Sequence, residues 1–240
     1  MKRQEIIEQL QQRILSLQGN YKHQEATLNL GLGAIETAFP GKSFPLGAIH
    51  ELVSFTPDAS SATNGFLSML LGKLTKERTT CVWISNKRKI YPPALKAFGI
   101  NPEQILFVDV WKVKDTLWAL EEALKCEALT GVVGEIGELS FNDSRRLQLA
   151  VEKSNVTGFI HRHQPKNVHP LASVARWKIT PIPSVLPGKM PGVGFPQWEI
   201  ELLKVKNGNP QKWRVQWSPA GLEYLPGDLL SVPKSTLKSA

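Results

Sequence analysis

The residues between Ile49 and Lys73 outline a phosphate-binding unit without the side chains that bind phosphate. Ile49-His50-Glu51-Leu52-Val53 reads as a buried strand, Ser54 to Asn64 as a polar turn, and Gly65-Phe66-Leu67-Ser68-Met69-Leu70-Leu71 as the helix behind it. A nucleotide-hydrolysing loop reads G-x-x-x-x-G-K-[ST], with backbone amides cradling phosphates and the lysine reaching the terminal ones. Here the turn is Ser-Phe-Thr-Pro-Asp-Ala-Ser-Ser-Ala-Thr-Asn, with no lysine and no glycine. Upstream, Gly41-Lys42-Ser43 matches the last three letters of that motif. Glu36 stands where its first glycine belongs, and Pro45 interrupts a following helix at its first turn. The segment reads as a turn before the strand.

Other chemistry-bearing residues are scattered. Glu135 ends an apolar segment and could imitate a magnesium-binding acid, although a solvated strand end accounts for it more simply. His161 and His163 share one strand face, with His169 beyond, but no cysteine or carboxylate is in view to complete a metal set, so no metal site is assigned. No serine or cysteine sits in a G-x-S-x-G context. Cys81 and Cys126 lack C-x-x-C spacing and read as two buried thiols.

The cations are arranged more regularly. Lys212, Arg214 and Gln216 alternate with Trp213, Val215 and Trp217, giving a strand with one polar and one apolar face. Lys204 and Lys206 lie on the facing strand, and Arg176 and Lys178 on the strand before. With the cluster Asn86-Lys87-Arg88-Lys89, these are the candidate DNA-phosphate contacts. A solvated outer face, with lysines blunting a sheet edge, is the alternative. Trp177, Trp198, Trp213 and Trp217 fall on the apolar side of their strands and read as core.

The elements that must position these residues alternate between strand and helix. After Ile49–Val53 and a helix over 64–74 come a strand at Thr80–Ser85, a short helix from Pro92 to Phe98 and a strand at Ile105–Val110. A helix from Lys114 to Ala128, a strand from Thr130 to Glu135, a helix over 143–153 capped by Asn142, and a strand from Val156 to His161 follow. Continuous apolar strands between helices predict an α/β fold, its mostly parallel sheet covered on both faces. Beyond residue 170 only strands remain: Ser173–Ile179, Gln197–Lys206 and Lys212–Ser218. The last two flank the hairpin signal Asn207-Gly208-Asn209-Pro210. Between the first two lies a proline-rich loop of 16 residues, Pro181 to Pro196.

Both ends read as appendages to a domain over 21–225. Residues 3–18 are amphipathic, with Ile6, Ile7, Leu10, Ile14 and Leu17 at helical spacing and Gly19-Asn20 as the stop. Residues 226–240 read as an untethered tail that carries Leu229, Leu230 and Val232. These apolar residues are the candidate partner contacts. At 240 residues, 42% hydrophobic and 21% charged, the composition is that of a soluble globular protein. The polar start and the lack of a long apolar stretch predict a cytoplasmic protein without a membrane partner. The net charge of +8 favours polyanion contact.

The order of elements resembles the RecA-like ATPase core, from Phe44-Pro45-Leu46-Gly47-Ala48-Ile49-His50-Glu51-Leu52 to Ala172–Ile179 and the hairpin. More specifically, the chain resembles the ImuA family of RecA/SulA-like proteins. The matching pieces are Phe39-Pro40-Gly41, Leu46–Leu52, Arg145–Glu152, Arg176-Trp177-Lys178 and Trp198–Lys204. The resemblance implies an accessory role in DNA-damage-induced (SOS) mutagenic translesion synthesis. It also implies as partners an inactive Y-family polymerase-like protein and an error-prone replicative-type polymerase, with RecA and DNA as further candidates. RecA-like enzymes place a water-activating glutamate after their second strand, where this chain has Asn86-Lys87-Arg88-Lys89. The expectation is a non-catalytic scaffold with no cofactor. A SulA-like inhibitor of cell division and an atypical RecA-like ATPase remain as alternatives.

Overall fold

Strand β1 (Ile49–Ser54) is buried at every position and lies in the middle of a single sheet. The computed structural model describes residues 30–75, 79–86, 88–184 and 192–225. The sheet holds β1, β2 (Thr80–Ser85), β3 (Ile105–Asp109), β4 (Leu129–Ile136), β5 (Thr157–His163), β6 (Ala175–Ile182), β7 (Gln197–Val205), β8 (Lys212–Ser218) and β9 (Gly221–Tyr224). Their spatial order is β3-β2-β4-β5-β1-β6-β7-β8-β9. From β3 through β6 every pairing is parallel; β6 to β9 pair antiparallel. The predicted α/β class, mostly parallel with an antiparallel C-terminal part, is what the chain adopts.

The strands alternate side chains between two cores, as period-2 geometry requires. Leu52, Cys81, Trp83, Val133, Phe159 and Trp177 face helix α1 (Pro57–Leu74). Ile49, Val82, Ile84, Val132 and Ile160 face helices α2 (Val113–Lys125) and α3 (Phe141–Ser154). The parallel part of the sheet is therefore covered on both faces.

The largest departure from the sequence reading is at α1. The expected turn from Ser54 to Asn64 does not exist: only Phe55 and Thr56 separate β1 from the helix. Thr56 is the N-cap, its side-chain oxygen accepting from the Ala59 amide at 3.2 Å, and Pro57 occupies the first turn. A capping threonine before proline is a strong start signal, and it overrides the polarity of the residues that follow. Likewise α3 is capped by Ser140 rather than Asn142, the Ser140 hydroxyl accepting from the Asp143 amide at 3.1 Å.

Other boundaries also shift. β6 runs on through Pro181 to Ile182, so the proline-rich loop is shorter than expected, and its residues 185–191 lie outside the described residues. β9 was not anticipated. Its Tyr224 hydroxyl accepts from the Ile35 amide at 2.9 Å and donates to the Leu32 carbonyl, tying the last strand to the 3-10 turn Gly33–Ala38. The amphipathic segment over 3–18 and the tail over 226–240, with all their candidate partner contacts, lie outside the described residues. Cys126 is exposed just past α2, correcting the reading of two buried thiols; Cys81 is buried, and burial pushes its thiol up to about 12.

Two consequences can be measured. A Cβ on Gly72 of α1 would stand 2.1 Å from the Phe98 carbonyl oxygen, a backbone atom that cannot swing aside. Gly72→Ala, which would strengthen an isolated helix, should here destabilise the protein by roughly 1–3 kcal/mol in urea denaturation. His50 is sealed among Phe44, Phe159 and Trp177, with Nε2 2.7 Å from the Pro45 carbonyl. Burial lowers its pKa from 6.5 to about 4, against a smaller opposing pull from that carbonyl. Below pH 6.5 the unfolded chain therefore takes up a proton that the folded chain refuses until about pH 4. Stability should fall across that window, by about 3 kcal/mol from this residue. A shallower fall in His50→Gln, followed by urea midpoints, is the check.

Candidate functional site: a polar cluster at the carboxyl ends of the central strands

Open parallel sheets bind ligands outside the carboxyl ends of their strands. In this chain β1, β4 and β5 bring Ser54, Glu135, His161 and His163 there. Register sets Glu135 beside His161 and Ser54 beside His163. Because α1 starts so early, its first turns lie over these ends and add Ser60, Thr63 and Asn64.

The side chains form one connected group. His161 is fully buried, with Nε2 2.8 Å from Ser54 Oγ and Nδ1 2.9 Å from Asn64 Oδ1. Ser54 Oγ also lies 2.9 Å from Thr63 Oγ1, which donates to the Ala59 carbonyl. Ser60 Oγ is 2.8 Å from His163 Nδ1. Glu135 accepts the Trp83 indole N–H on Oε1 at 2.9 Å and holds Oε2 3.2 Å from His163 Nε2. That separation suits an ion pair but is not directed as a hydrogen bond, so Nε2 has no hydrogen-bond partner among the described residues. Burial first, then the neighbouring His163 and Lys89, hold the His161 pKa well below its ordinary 6.5, and its imidazole is neutral. An open cleft of about 710 Å³ borders Ser60 and Asn64 on the side of Lys89, Phe98 and Trp198.

Two sequence expectations change here. A carboxylate does join the histidine pair: one ligand atom from each of Glu135, His161 and His163 lies within 4.8 Å of the others. Glu135 is also no solvated strand end, since β4 is an interior strand and the residue is buried. His169 stands apart, its Nε2 on the Leu139 carbonyl at 2.9 Å. Ser54, His161 and Asn64 have the connectivity of a nucleophile, its base and an orienting amide. The Ser54 hydroxyl, however, is sealed beneath α1 at 1% exposure, and no acyl substrate can approach it.

On the opposite face of the same strands is an ionic cluster that sequence reasoning missed. Glu51 accepts from Arg162 Nη1 at 2.9 Å and from Arg176 Nε at 2.7 Å. Arg162 also reaches Glu138 and the Asn167 carbonyl, and Arg176 reaches the His169 carbonyl. The cluster pins the segment between β5 and β6. Its only sequence signal was a charged residue inside each of three apolar strands.

The candidate DNA contacts are dispersed among pairings. Arg176 belongs to the Glu51 cluster. Lys204 Nζ donates to the Leu171 carbonyl at 3.0 Å. Lys178 pairs with Glu201 at 2.7 Å, and Lys212 and Arg214 share Glu199. Arg88 holds Asp109 through two nitrogens and lies 4.8 Å over the Phe107 ring. Lys89 stands beside the histidine cluster, Lys206 is exposed, and Lys87 lies outside the described residues. Trp177, Trp198 and Trp213 are buried, whereas Trp217 is half-buried and stacks on Phe98. Gly41-Lys42-Ser43 falls in and just past a 3-10 turn over Pro40–Lys42.

Fold and site together define an α/β protein whose ligand-binding edge is filled by its own side chains. No protein-family model matches the chain. It is 31% identical over 206 residues to Protein ImuA of Caulobacter vibrioides (strain NA1000 / CB15N), covering 81% of this chain and 84% of that one. Similarity to the cell division inhibitor SulA is 26% over 138 residues for Serratia marcescens, covering 57% of this chain and 82% of that protein. It is 32% over 101 residues for Photorhabdus laumondii, covering 42% and 57%. The chain belongs to the ImuA family. Among the described residues no helix is long and apolar enough to cross a membrane.

Asn64→Leu tests whether the cluster carries stability. It strands His161 Nδ1 in the core and should cost roughly 1–3 kcal/mol, read as a lower urea midpoint with unchanged m-value.

Proposed function

We propose that this protein is a non-catalytic, RecA-like accessory subunit of a DNA-damage-induced translesion synthesis assembly. It works by protein contacts with an inactive Y-family polymerase-like protein and an error-prone replicative-type polymerase, with RecA and DNA as further partners. The observation that carries this reading is the two-residue connection between β1 and α1 in a chain of the ImuA family. A phosphate loop needs a run of free backbone amides between strand and helix. Here Thr56 caps the helix, and Ser60, Thr63 and Asn64 spend their side chains on Ala59, Ser54 and the histidines. The apolar residues of 1–20 and 226–240 are the proposed adhesive parts.

Equilibrium titration with labelled ATP and magnesium should give a dissociation constant no tighter than about 1 mM. Micromolar binding would refute the non-catalytic reading. Deleting 1–20 together with 226–240 should abolish co-purification with the polymerase-like partner; retention by the doubly truncated chain would sink the scaffold assignment.

The similarity to SulA favours a second reading, inhibition of cell division. The matched 138 residues are 82% of the Serratia protein but 57% of this chain, so a SulA-like role leaves much of the chain unused. Filamentation on overexpression, with arrested division-ring assembly, would establish it instead.

A further inference from the structure

We propose that Glu135, His161 and His163 form a binding site for a divalent transition-metal ion, with zinc the best match to the donors. Two imidazoles and one carboxylate are a zinc-type ligand set, and nitrogen donors disfavour magnesium or calcium. One ligand atom from each lies within 4.8 Å of the others. His163 Nε2 and Glu135 Oε2 are 3.2 Å apart. Two ligands each about 2.0–2.2 Å from a tetrahedral ion stand at nearly that separation.

Among the described residues, the surrounding bonds leave Nε2 of His163 and Oε2 of Glu135 without a hydrogen bond. Ser60 Oγ holds Nδ1 of His163, Asn64 Oδ1 holds Nδ1 of His161, and the Trp83 indole holds Oε1 of Glu135. His163 and Glu135 are thus each anchored by one polar atom and offer the other, the arrangement by which outer partners orient metal-binding histidines. Nε2 of His163 is buried and lacks a hydrogen bond among the described residues, which an ion would supply. Nε2 of His161 now meets Ser54 Oγ, but that hydroxyl has Thr63 Oγ1 at 2.9 Å as a second neighbour. It can release the imidazole without being orphaned. His163 is the partly exposed member, at 21% of its side chain, and marks the entry side. Three protein ligands leave a fourth position to water. The nearby Lys89 ammonium works against a cation and limits affinity.

The test uses the full chain without an affinity tag, stripped with chelator and titrated with cobalt(II) and zinc(II). One equivalent of cobalt should give the visible bands of a tetrahedral site, zinc should displace it, and zinc should raise the melting temperature. His163→Ala and Glu135→Gln, at the accessible side of the cluster, should each weaken zinc binding by at least about 100-fold. His169→Ala should not change it. Absence of the bands and of any zinc-dependent stabilisation overturns the proposal. So does zinc binding that survives both variants, which would place the ion elsewhere. If either variant fails to fold, Ser60→Ala should lower affinity by about 10-fold through the His163 ring, and unchanged affinity there would also overturn it.

Discussion

The whole arrangement rests on how soon α1 begins. Two residues after β1, the Thr56 cap and Pro57 commit the chain to helix, directed by the strand it has just left. The first turns of α1 then have no freedom to form a loop, and their polar residues are carried over the carboxyl ends of β1 and β5. Farther along, Gly65 and Gly72 let the same helix approach Trp198 and the Phe98 backbone closely. One cap thus decides that the edge where an α/β sheet would receive a ligand is filled from within.

β1 divides its labour between the two faces of the sheet. His50, Leu52 and Ser54 point toward α1, where they meet aromatic rings and the histidine cluster. Glu51 points the other way and binds two arginines. Removing Glu51 would leave the fully buried Arg162 short of its main partner, a far larger penalty than the net worth of the pair. The same pairing changes the meaning of the net charge. Around β6 to β8, Lys178, Lys212 and Arg214 face Glu199 and Glu201, so the regular cationic pattern of the sequence becomes a nearly balanced surface.

Strand identities were legible because parallel strands appear as apolar runs, where β1, β2 and β3 lie, and because β8 alternates polar and apolar residues. Helix starts were less so. At α1 a stretch rich in serine, threonine and asparagine looked like a turn although Thr56 alone caps the helix, and at α3 Asn142 was credited where Ser140 caps. The site suffered from the same limit in another form. His161 and His163 were visible as a pair, but Glu135 is 26 residues before His161 and becomes its neighbour only through parallel register. Arg162 and Glu51 were invisible as partners for that reason as well. Local spacing reports what shares a face of one strand; it says nothing of which strand lies alongside.

A buried polar cluster costs desolvation that an apolar filling would avoid, so its presence calls for a physical role. Ser54, Glu135 and His161 come from three different strands, and Ser60, Thr63 and Asn64 come from one helix. Sliding any strand by one residue would turn its member to the opposite face and break the set. Apolar contacts tolerate such slips better than directed hydrogen bonds between fixed partners do. The cluster therefore specifies the register of three neighbouring strands against α1 at the place where their backbones end, and this holds whether or not an ion joins it.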